Sequence, residues 1–267
     1  MIGDDVLDLG GQAALVTGAG QGVGRAIALE LAKHNAGGIA VNDFVEDRAR
    51  EVASEIEALG VKAVAAPFDV TDIEAARAAF AEAGEALGPV TVLVNNAGNA
   101  GPTDQMRPSK NFWEETPESW GKYVGTNFFG VLNCCHAAIP AMVEAGRGRV
   151  VTIVSDSGRV GEPKQAVYSA AKAGAAGFMR SLAKETARHG ITCNSIALAT
   201  IQSMMSEEQF AAYRETDAYK KHVSQYPIRR WGMPDDVAAL AAFLCSDRAS
   251  WITGQTYPLN GGYSMAQ

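Results

Sequence analysis

The sequence places a tyrosine and a lysine four residues apart, Tyr168 and Lys172, with Ser155 thirteen residues upstream of the tyrosine. In a helix this spacing puts the phenol and the ammonium on one face, one turn apart. A phenol with a solution pKa of about 10 is a poor base at neutral pH, but an adjacent cation favours the phenolate. A serine hydroxyl could hold the oxygen that gains or loses the proton. These groups suit the interconversion of an alcohol and a carbonyl.

This chemistry needs a hydride carrier, and the N-terminal region predicts a site for one. A short apolar run over 13–16 leads into a glycine-rich turn, Thr17 to Gly24, and then into an amphipathic helix. Glycines at such a turn let a pyrophosphate approach the helix N-terminus, although they also serve simply to reverse a chain. Asp43 ends the next strand, nineteen residues beyond Gly24. A carboxylate there can bind the adenosine ribose and repel a 2′-phosphate, so we expect NAD rather than NADP, with nearby Arg48 as the counterargument.

With these motifs the chain resembles the single-domain short-chain dehydrogenase/reductase family, from about Leu7 to its C-terminal end. The glycine signature T-G-x-x-x-G-x-G is matched by Thr17, Gly18, Gly22 and Gly24, and N-N-A-G by Asn95, Asn96, Ala97 and Gly98. The family's catalytic tetrad is matched in order and spacing by Asn127, Ser155, Tyr168 and Lys172.

The resemblance implies a role for each matched residue. Tyr168 transfers the proton, Ser155 holds the substrate oxygen, Lys172 lowers the tyrosine pKa and holds the nicotinamide ribose, and Asn127 orders a water. Asp69 is expected near the adenine, although it could also cap a helix. The implied cofactor-binding residues are Thr17, Gly18, Gln21, Gly22, Val23, Gly24, Asp43, Phe44, Asp69, Val70, Asn95, Ala97, Gly98, Tyr168, Lys172, Ile201 and Ser203.

Apolar strand-like runs alternate with helical periods along the chain, which predicts a parallel sheet covered on both faces. We expect one α/β domain over residues 1–267, a Rossmann-type doubly wound sheet of about seven strands. The predicted strands are 12–17, 38–43, 62–66, 90–95, 148–154, 191–197 and 256–259, and the predicted helices are 23–35, 46–59, 72–87, 118–145, 167–189 and 234–246.

This alternation is interrupted by two segments, residues 99–117 and residues 200–230. The second segment is predicted to form short helices. Both follow predicted strand ends at the edge where ligands bind in open α/β sheets, so we expect them to wall the substrate pocket. The loop after the sixth strand departs from the family pattern, because Leu198-Ala199 stands where Pro-Gly is usual. This change predicts a different loop path beside the nicotinamide.

Composition excludes several other classes of protein. A net charge of −7 argues against a nucleic-acid surface, which needs a basic excess. The four cysteines and four histidines lack metal-ligand spacing, so we expect reduced, buried thiols and no metal. The N-terminus is acidic and no apolar run approaches the roughly 20 residues of a membrane span, which predicts a cytoplasmic protein without a membrane partner.

The substrate is the least specified feature. Apolar side chains in the second pocket segment suit a bulky ligand or merely pack the short helices: Met204, Met205, Phe210, Tyr213, Tyr219 and Tyr226. The run from Ser155 to Gly161 is similar to that of family members acting on alicyclic hydroxyacyl thioesters. Basic side chains could meet coenzyme A phosphates or be solvated surface charge: Arg107, Lys110, Arg159 and Lys164. A steroid or other cyclic secondary alcohol is an equal alternative, and a non-catalytic dinucleotide sensor is an alternative of another class.

The sequence also predicts a homo-oligomer, most simply a tetramer with twofold symmetry. The predicted helices at 118–145 and 167–189 carry many small residues that permit close approach of a partner helix, although these residues could equally pack on the protein's own sheet. The segment 251–262 resembles the family's C-terminal edge strand, which pairs across a second interface and covers a sheet edge.

Overall fold

A computed structural model describes residues 5–98, 111–203 and 205–265. Seven parallel strands form one sheet in the order β3-β2-β1-β4-β5-β6-β7. The strands are β1 (Ala13–Val16), β2 (Gly38–Val41), β3 (Ala63–Ala65), β4 (Val90–Asn95), β5 (Gly148–Ser155), β6 (Ile191–Leu198) and β7 (Thr256–Leu259). This is the Rossmann-type α/β fold predicted from the sequence, with the strand order reversing between β1 and β4.

Helices cover both faces of the sheet. They are α1 (Gly22–Lys33), α2 (Glu46–Ala58), α3 (Ile73–Leu87), α4 (Trp120–Val124), α5 (Gly130–Ala145), α6 (Ser157–Val160), α7 (Ala166–Thr186), α8 (Glu207–Arg214), α9 (Asp217–Val223) and α10 (Pro234–Cys245). One hydrophobic cluster packs α1, α2 and α10 on one face, and a second packs α3, α5 and α7 on the other. Strands buried on both faces explain why the central runs are almost uniformly apolar.

Besides shifts of one or two residues at several helix ends, three features of the helices differ from the sequence prediction. The predicted helix at 118–145 contains a single π-helical turn, Gly125–Phe129, between α4 and α5. The predicted helix at 167–189 ends its α-helical part at Thr186 and closes with a 3₁₀ turn. Asp72, not Asp69, caps α3, because its carboxylate accepts hydrogen bonds from the backbone of Glu74 and Ala75.

The stretch Pro117–Ala145 is long and apolar enough to cross a membrane by length and composition alone. The sequence expectation that no run approaches such a length is therefore wrong for this stretch. Within α5, however, one side packs into the core through buried residues that include Val131, Cys134, Cys135 and Met142. That packing is typical of a core helix, which meets the same length and hydropathy criteria.

All four cysteines are free and buried, as expected. Burial raises the pKa of the Cys134 thiol to about 12 and that of Cys193 to about 11, so neither is a ready nucleophile near neutral pH. Within the described ranges, no group of three or more His, Cys, Asp or Glu side chains is placed to hold a metal ion.

Candidate active site

The glycine turn between β1 and α1 has no room for a side chain at Gly18 or at Gly24. Gly18 has a φ of +60°, and a Cβ there would lie 2.9 Å from the Ala97 Cα atom. A Cβ on Gly24 would lie 2.2 Å from the Gly18 carbonyl oxygen. Helix α1 begins at Gly22, and Gln21 before it provides no side-chain cap. The turn therefore leaves backbone N–H groups open at a helix N-terminus, which fits the pyrophosphate of a dinucleotide.

Asn96 fixes the shape of this turn. Its side-chain amide donates to the carbonyls of Thr17 and Gly18, both at 3.0 Å. The Thr17 hydroxyl in turn accepts the backbone N–H groups of Asn96 and Ala97. Sequence reasoning assigned the Asn95-to-Gly98 motif to the edge of the strand but did not identify Asn96 as the residue that holds the turn.

Asp43, the predicted ribose ligand, lies beside the glycine turn. Its carboxylate is buried and accepts the backbone N–H groups of Gly20 at 3.1 Å and Val45 at 2.9 Å. Phe44 next to it is 58% exposed and presents a ring at the surface. The Arg48 Cβ atom lies 2.5 Å from the position that a Cβ on Gly20 would occupy, so an arginine also borders this corner.

A narrow cleft brings together Thr17, Val70, Asn95 and Ala97 beside the π turn. Within it, the Asn95 side chain donates to the Thr152 hydroxyl at 3.2 Å and contacts the Cys135 sulfur. Asn95 therefore reaches inward and stabilises the junction of β4 and β5. Asp69 is exposed, and its carboxylate accepts the backbone N–H and hydroxyl of Thr71, both at 2.9 Å.

Lys172 is a buried charge of the site, with 4% of its surface exposed. Its ammonium donates to the Ile153 carbonyl at 2.8 Å and lies 5.9 Å from the centroid of the Tyr168 ring. Burial away from water lowers the pKa of Lys172 to about 8, so the side chain is still mainly protonated at neutral pH. A cation is thus held next to the tyrosine on the same face of α7, as the four-residue spacing predicted.

Gly98 is where the lysine and the asparagine of the tetrad meet. A Cβ on Gly98 would lie 3.1 Å from the Asn127 side-chain oxygen and 3.2 Å from the Lys172 ammonium nitrogen. Asn127 is fully buried in the π turn, and its amide nitrogen donates to the Tyr123 carbonyl at 2.9 Å. A π turn inserts an extra residue into a helix and is frequent at functional sites. Here it presents the Asn127 oxygen toward Gly98.

Ser155 ends β5 directly opposite Leu198, the last residue of β6. The Leu198 carbonyl lies 3.4 Å from the Ser155 hydroxyl oxygen and also accepts the backbone N–H of Asp156 at 2.9 Å. Leu198, which stands where the family usually has proline, therefore contacts the predicted catalytic Ser155 through its backbone carbonyl.

The loop after β6 runs back toward the glycine turn. Ile201 forms an isolated parallel bridge with Gly232, and Ser203 lies so close that a Cβ on Gly22 would be 3.2 Å from the Ser203 Cβ atom. The Tyr226 hydroxyl donates to the Thr200 hydroxyl at 3.0 Å. Ser203 thus lies beside the glycine turn, whereas Ile201 packs against Gly232.

The aromatic residues of the second pocket segment pack mainly on one another. The rings of Phe210, Tyr213 and Tyr219 surround Trp231, with centroid distances of 5.3 to 5.7 Å from its ring. This supports the packing interpretation of these side chains. Met204 and residues 99–110 of the first pocket segment, including Arg107 and Lys110, lie outside the described residues.

Arg159 and Lys164 have different surroundings in the structure. Arg159 donates to the buried Asp156 carboxylate at 2.6 Å, so its charge serves an internal ion pair. Lys164 is exposed, has a left-handed backbone with a φ of 63°, and lines a small cleft together with Tyr168 and Tyr123. Of these two basic residues, Lys164 is the one that lines the cleft beside Tyr168.

Sequence reasoning missed the residues that tie the chain's C-terminal part to this site. The buried Asp156 carboxylate accepts hydrogen bonds from Asn260 at 2.8 Å and from Ser264 at 2.6 Å. Tyr263 donates to Glu162 at 2.9 Å and stacks on Tyr226. These partners lie about a hundred residues apart, and no local pattern signals such contacts.

Comparisons with known proteins agree with this architecture. A sequence model of the family described as Enoyl-(Acyl carrier protein) reductase matches residues 18–264. The chain is 38% identical over 255 residues to 3-oxoacyl-(acyl-carrier-protein) reductase FabG of Staphylococcus aureus, covering 95% of this chain and 98% of that protein. It is also 38% identical to acetoacetyl-CoA reductase of Rhizobium meliloti over 253 residues, with the same two coverages.

Among solved structures, a gluconate 5-dehydrogenase from Burkholderia cenocepacia in complex with NADP and tartrate superposes with a TM-score of 0.86 at 30% identity, covering 98% of this chain and 99% of that one. Relatives of this similarity are oxidoreductases acting on hydroxyl or keto groups with a nicotinamide cofactor. The chain belongs to the short-chain dehydrogenase/reductase family of NAD(P)-dependent oxidoreductases.

Proposed function

We propose that the protein interconverts the alcohol and ketone forms of a hydroxyacyl thioester. The observation that carries the chemistry is the convergence of Lys172 and Asn127 at Gly98, with the Tyr168 ring beside the same lysine. The thioester is favoured because two relatives that match 95% of the chain are named for 3-oxoacyl-carrier-protein and acetoacetyl-CoA reduction. Exposed Lys164 beside Tyr168 offers one cation to a phosphate of the acyl carrier.

In the proposed mechanism the dinucleotide, when bound, accepts or supplies the hydride. Tyr168 takes the alcohol proton or returns it to the carbonyl oxygen, and Ser155 donates a hydrogen bond to that oxygen. The Lys172 ammonium stabilises the Tyr168 phenolate, because opposite charges in a buried setting attract strongly. Asn127 holds a proton-carrying water near Lys172. The two directions of reaction use the same groups.

The test is a comparison of kcat/KM across substrate classes. We expect 3-oxoacyl and 3-hydroxyacyl coenzyme A thioesters to exceed cyclic secondary alcohols, steroids and sugar acids by at least about tenfold, which is 1.4 kcal/mol of transition-state binding. A steroid or a sugar acid as the best substrate would overturn the thioester assignment. Tight dinucleotide binding without turnover of any alcohol or ketone would favour the non-catalytic sensor.

For the cofactor we propose a preference for NAD over NADP. The buried Asp43 carboxylate would face the 2′-phosphate of NADP, and like charges brought together in this way cost several kcal/mol. The positive charge of Arg48 at the same corner would instead favour the 2′-phosphate of NADP. The related gluconate 5-dehydrogenase structure contains NADP. The opposing charges of Asp43 and Arg48 therefore determine the ratio of kcat/KM with NAD to kcat/KM with NADP.

Comparison of kcat/KM for the two cofactors should show at least about a tenfold advantage for NAD, equivalent to 1.4 kcal/mol. Asp43→Asn keeps an oxygen acceptor for the Gly20 N–H while removing the charge, so it should narrow this ratio. Arg48→Ala is the matched control and should widen it. A wild-type preference for NADP would contradict the proposal.

We propose that the protein acts as a homotetramer, with residues 1–267 forming one domain in each copy. Helix α7 divides its small residues between two sides: Ala171, Ala175 and Ala176 are buried, whereas Ala170 and Ala173 are exposed. On α5, Phe129 just before the helix is 52% exposed and Val143 is 36% exposed. Large apolar side chains left in water on helices with small exposed residues favour contact with a second copy.

Light scattering should give a mass near four times the chain's 28.1 kDa. Val143→Arg places a charge on the proposed interface and should lower that mass. Leu59→Arg is the control, because Leu59 is also exposed but follows α2 on the opposite face of the sheet. A wild-type mass of 28.1 kDa would rule out the oligomer.

We also propose a cytoplasmic location, since the relatives compared are named for reactions on acyl-carrier-protein and coenzyme A thioesters. Recovery of the protein in the membrane fraction of disrupted cells would contradict it.

A further inference from the structure

A second serine lies against the predicted catalytic serine. Ser157 is 8% exposed, and its hydroxyl oxygen is 2.9 Å from the Ser155 hydroxyl oxygen. The backbone N–H of Ser157 also donates to the Ser155 oxygen, at 3.2 Å. Ser155 therefore receives two hydrogen bonds from one residue, and nothing in the tetrad pattern assigns Ser157 a role.

These two contacts limit what the Ser155 hydroxyl can do. A hydroxyl oxygen has two acceptor lone pairs and one proton to donate. When the Ser157 hydroxyl and N–H occupy both lone pairs, only the Ser155 proton remains for a substrate. Its partner inside the protein is the Leu198 carbonyl at 3.4 Å, a long hydrogen bond that a closer substrate oxygen can replace.

The segment 156–158, at which α6 begins, is held on both sides. Asp156 is 1% exposed, and its carboxylate binds Arg159, Asn260 and Ser264. On the other side, a Cβ on Gly158 would lie 2.9 Å from the backbone nitrogen of Ala173, so α6 packs directly on α7 next to Lys172. The Ser157 hydroxyl is thus fixed relative to both Ser155 and the helix that carries Tyr168.

We propose that Ser157 is a positioning residue that makes Ser155 a dedicated hydrogen-bond donor to the substrate oxygen. The inference rests on the proposed alcohol–ketone chemistry at Ser155, but not on the identity of the acyl carrier. Donation is the useful direction, because negative charge develops on that oxygen when the hydride is transferred. Without the Ser157 hydroxyl, one Ser155 lone pair is free, and Ser155 can rotate to accept the proton of a substrate alcohol instead.

The test is a double-mutant cycle between the two serines, measured with any alcohol and ketone pair that the wild type turns over. Ser157→Ala should lower kcat by about 3- to 10-fold, the range expected for one hydrogen bond, and leave the cofactor Kd unchanged. In a Ser155→Ala background the same substitution should have no further effect, because its target is gone. Ser157→Thr keeps the hydroxyl and should restore most of the rate.

An equal loss of kcat in both backgrounds would assign Ser157 a purely structural role and overturn the proposal, as would no loss in either. If Ser157→Ala does not fold, Ser157→Cys fills the same space with a much weaker donor and completes the cycle. Failure of the thioester assignment would look different, because the wild type would then turn over another alcohol, and the cycle would be measured with that substrate.

Discussion

Replacement of Tyr168 by phenylalanine should lower kcat by at least about 100-fold, since general acid–base catalysis typically contributes roughly 10²- to 10⁴-fold. The substitution removes only the phenolic oxygen from a half-buried ring on α7. The glycine turn and Asp43 lie on other elements, so a fluorescence titration should give a cofactor Kd close to that of the wild type. Stopped assays in both reaction directions should show the same loss, because one group serves both.

Tyr257→Phe provides the matched control, because it removes a hydroxyl from a tyrosine on β7 outside the tetrad. Its kcat should stay within about twofold of the wild type, as expected for a substitution away from the chemistry. If Tyr168→Phe kept more than about a hundredth of the wild-type kcat, another group would have to transfer the proton.

The burial of Lys172 should make the stability of the protein depend on alkaline pH. Burial lowers the pKa of Lys172 from 10.5 to about 8, so between these values the unfolded chain binds a proton that the folded protein has released. The free energy of unfolding then rises with pH across this window, by about 3 kcal/mol at 1.36 kcal/mol per pKa unit. Below pH 8 Lys172 is charged in the folded protein, so the full free-energy cost of burying that charge lowers the free energy of unfolding.

Urea unfolding at a fixed protein concentration, from pH 7 to pH 10.5, measures this effect against Lys172→Met. The variant cannot titrate at this position, so its stability relative to the wild type should fall by about 3 kcal/mol as the pH rises. Lys184→Met changes an exposed lysine on the same helix, and its curve should run parallel to that of the wild type. If the difference in the free energy of unfolding between Lys172→Met and the wild type stayed constant with pH, Lys172 would not be buried as described.

The sequence predicts the sheet well because each central strand is a short apolar run bounded by turn residues. The predictions at 90–95 and 256–259 coincide with β4 and β7, and the parallel order follows from the alternating helices. The spacing of Tyr168 and Lys172 was equally informative, because four residues in a helix fix a common face whatever surrounds it. Such features depend on neighbours in the chain.

Features that depend on distant neighbours could not be predicted in this way. Asn95 and Asn96 are adjacent and chemically identical, yet one turns into the sheet junction and the other holds the glycine turn. Arg159 reads as a surface charge until Asp156 is found buried beside it. The ties from Asp156 to Asn260 and Ser264 cross more than a hundred residues and become visible only when β5, β6 and β7 are side by side.

The π turn at Gly125–Phe129 constrains the length of the chain as well as its composition. The wide turn absorbs one extra residue, so deleting a residue within Gly125–Phe129 would close it into an ordinary α-helical turn and remove the bulge that presents Asn127 toward Gly98. A deletion elsewhere in α4 or α5 would rotate the residues beyond it by about 100° and move part of the helix out of its register in the core. An engineered library of this enzyme can therefore vary side chains around Asn127, but single-residue deletions between Trp120 and Ala145 should be excluded from its design.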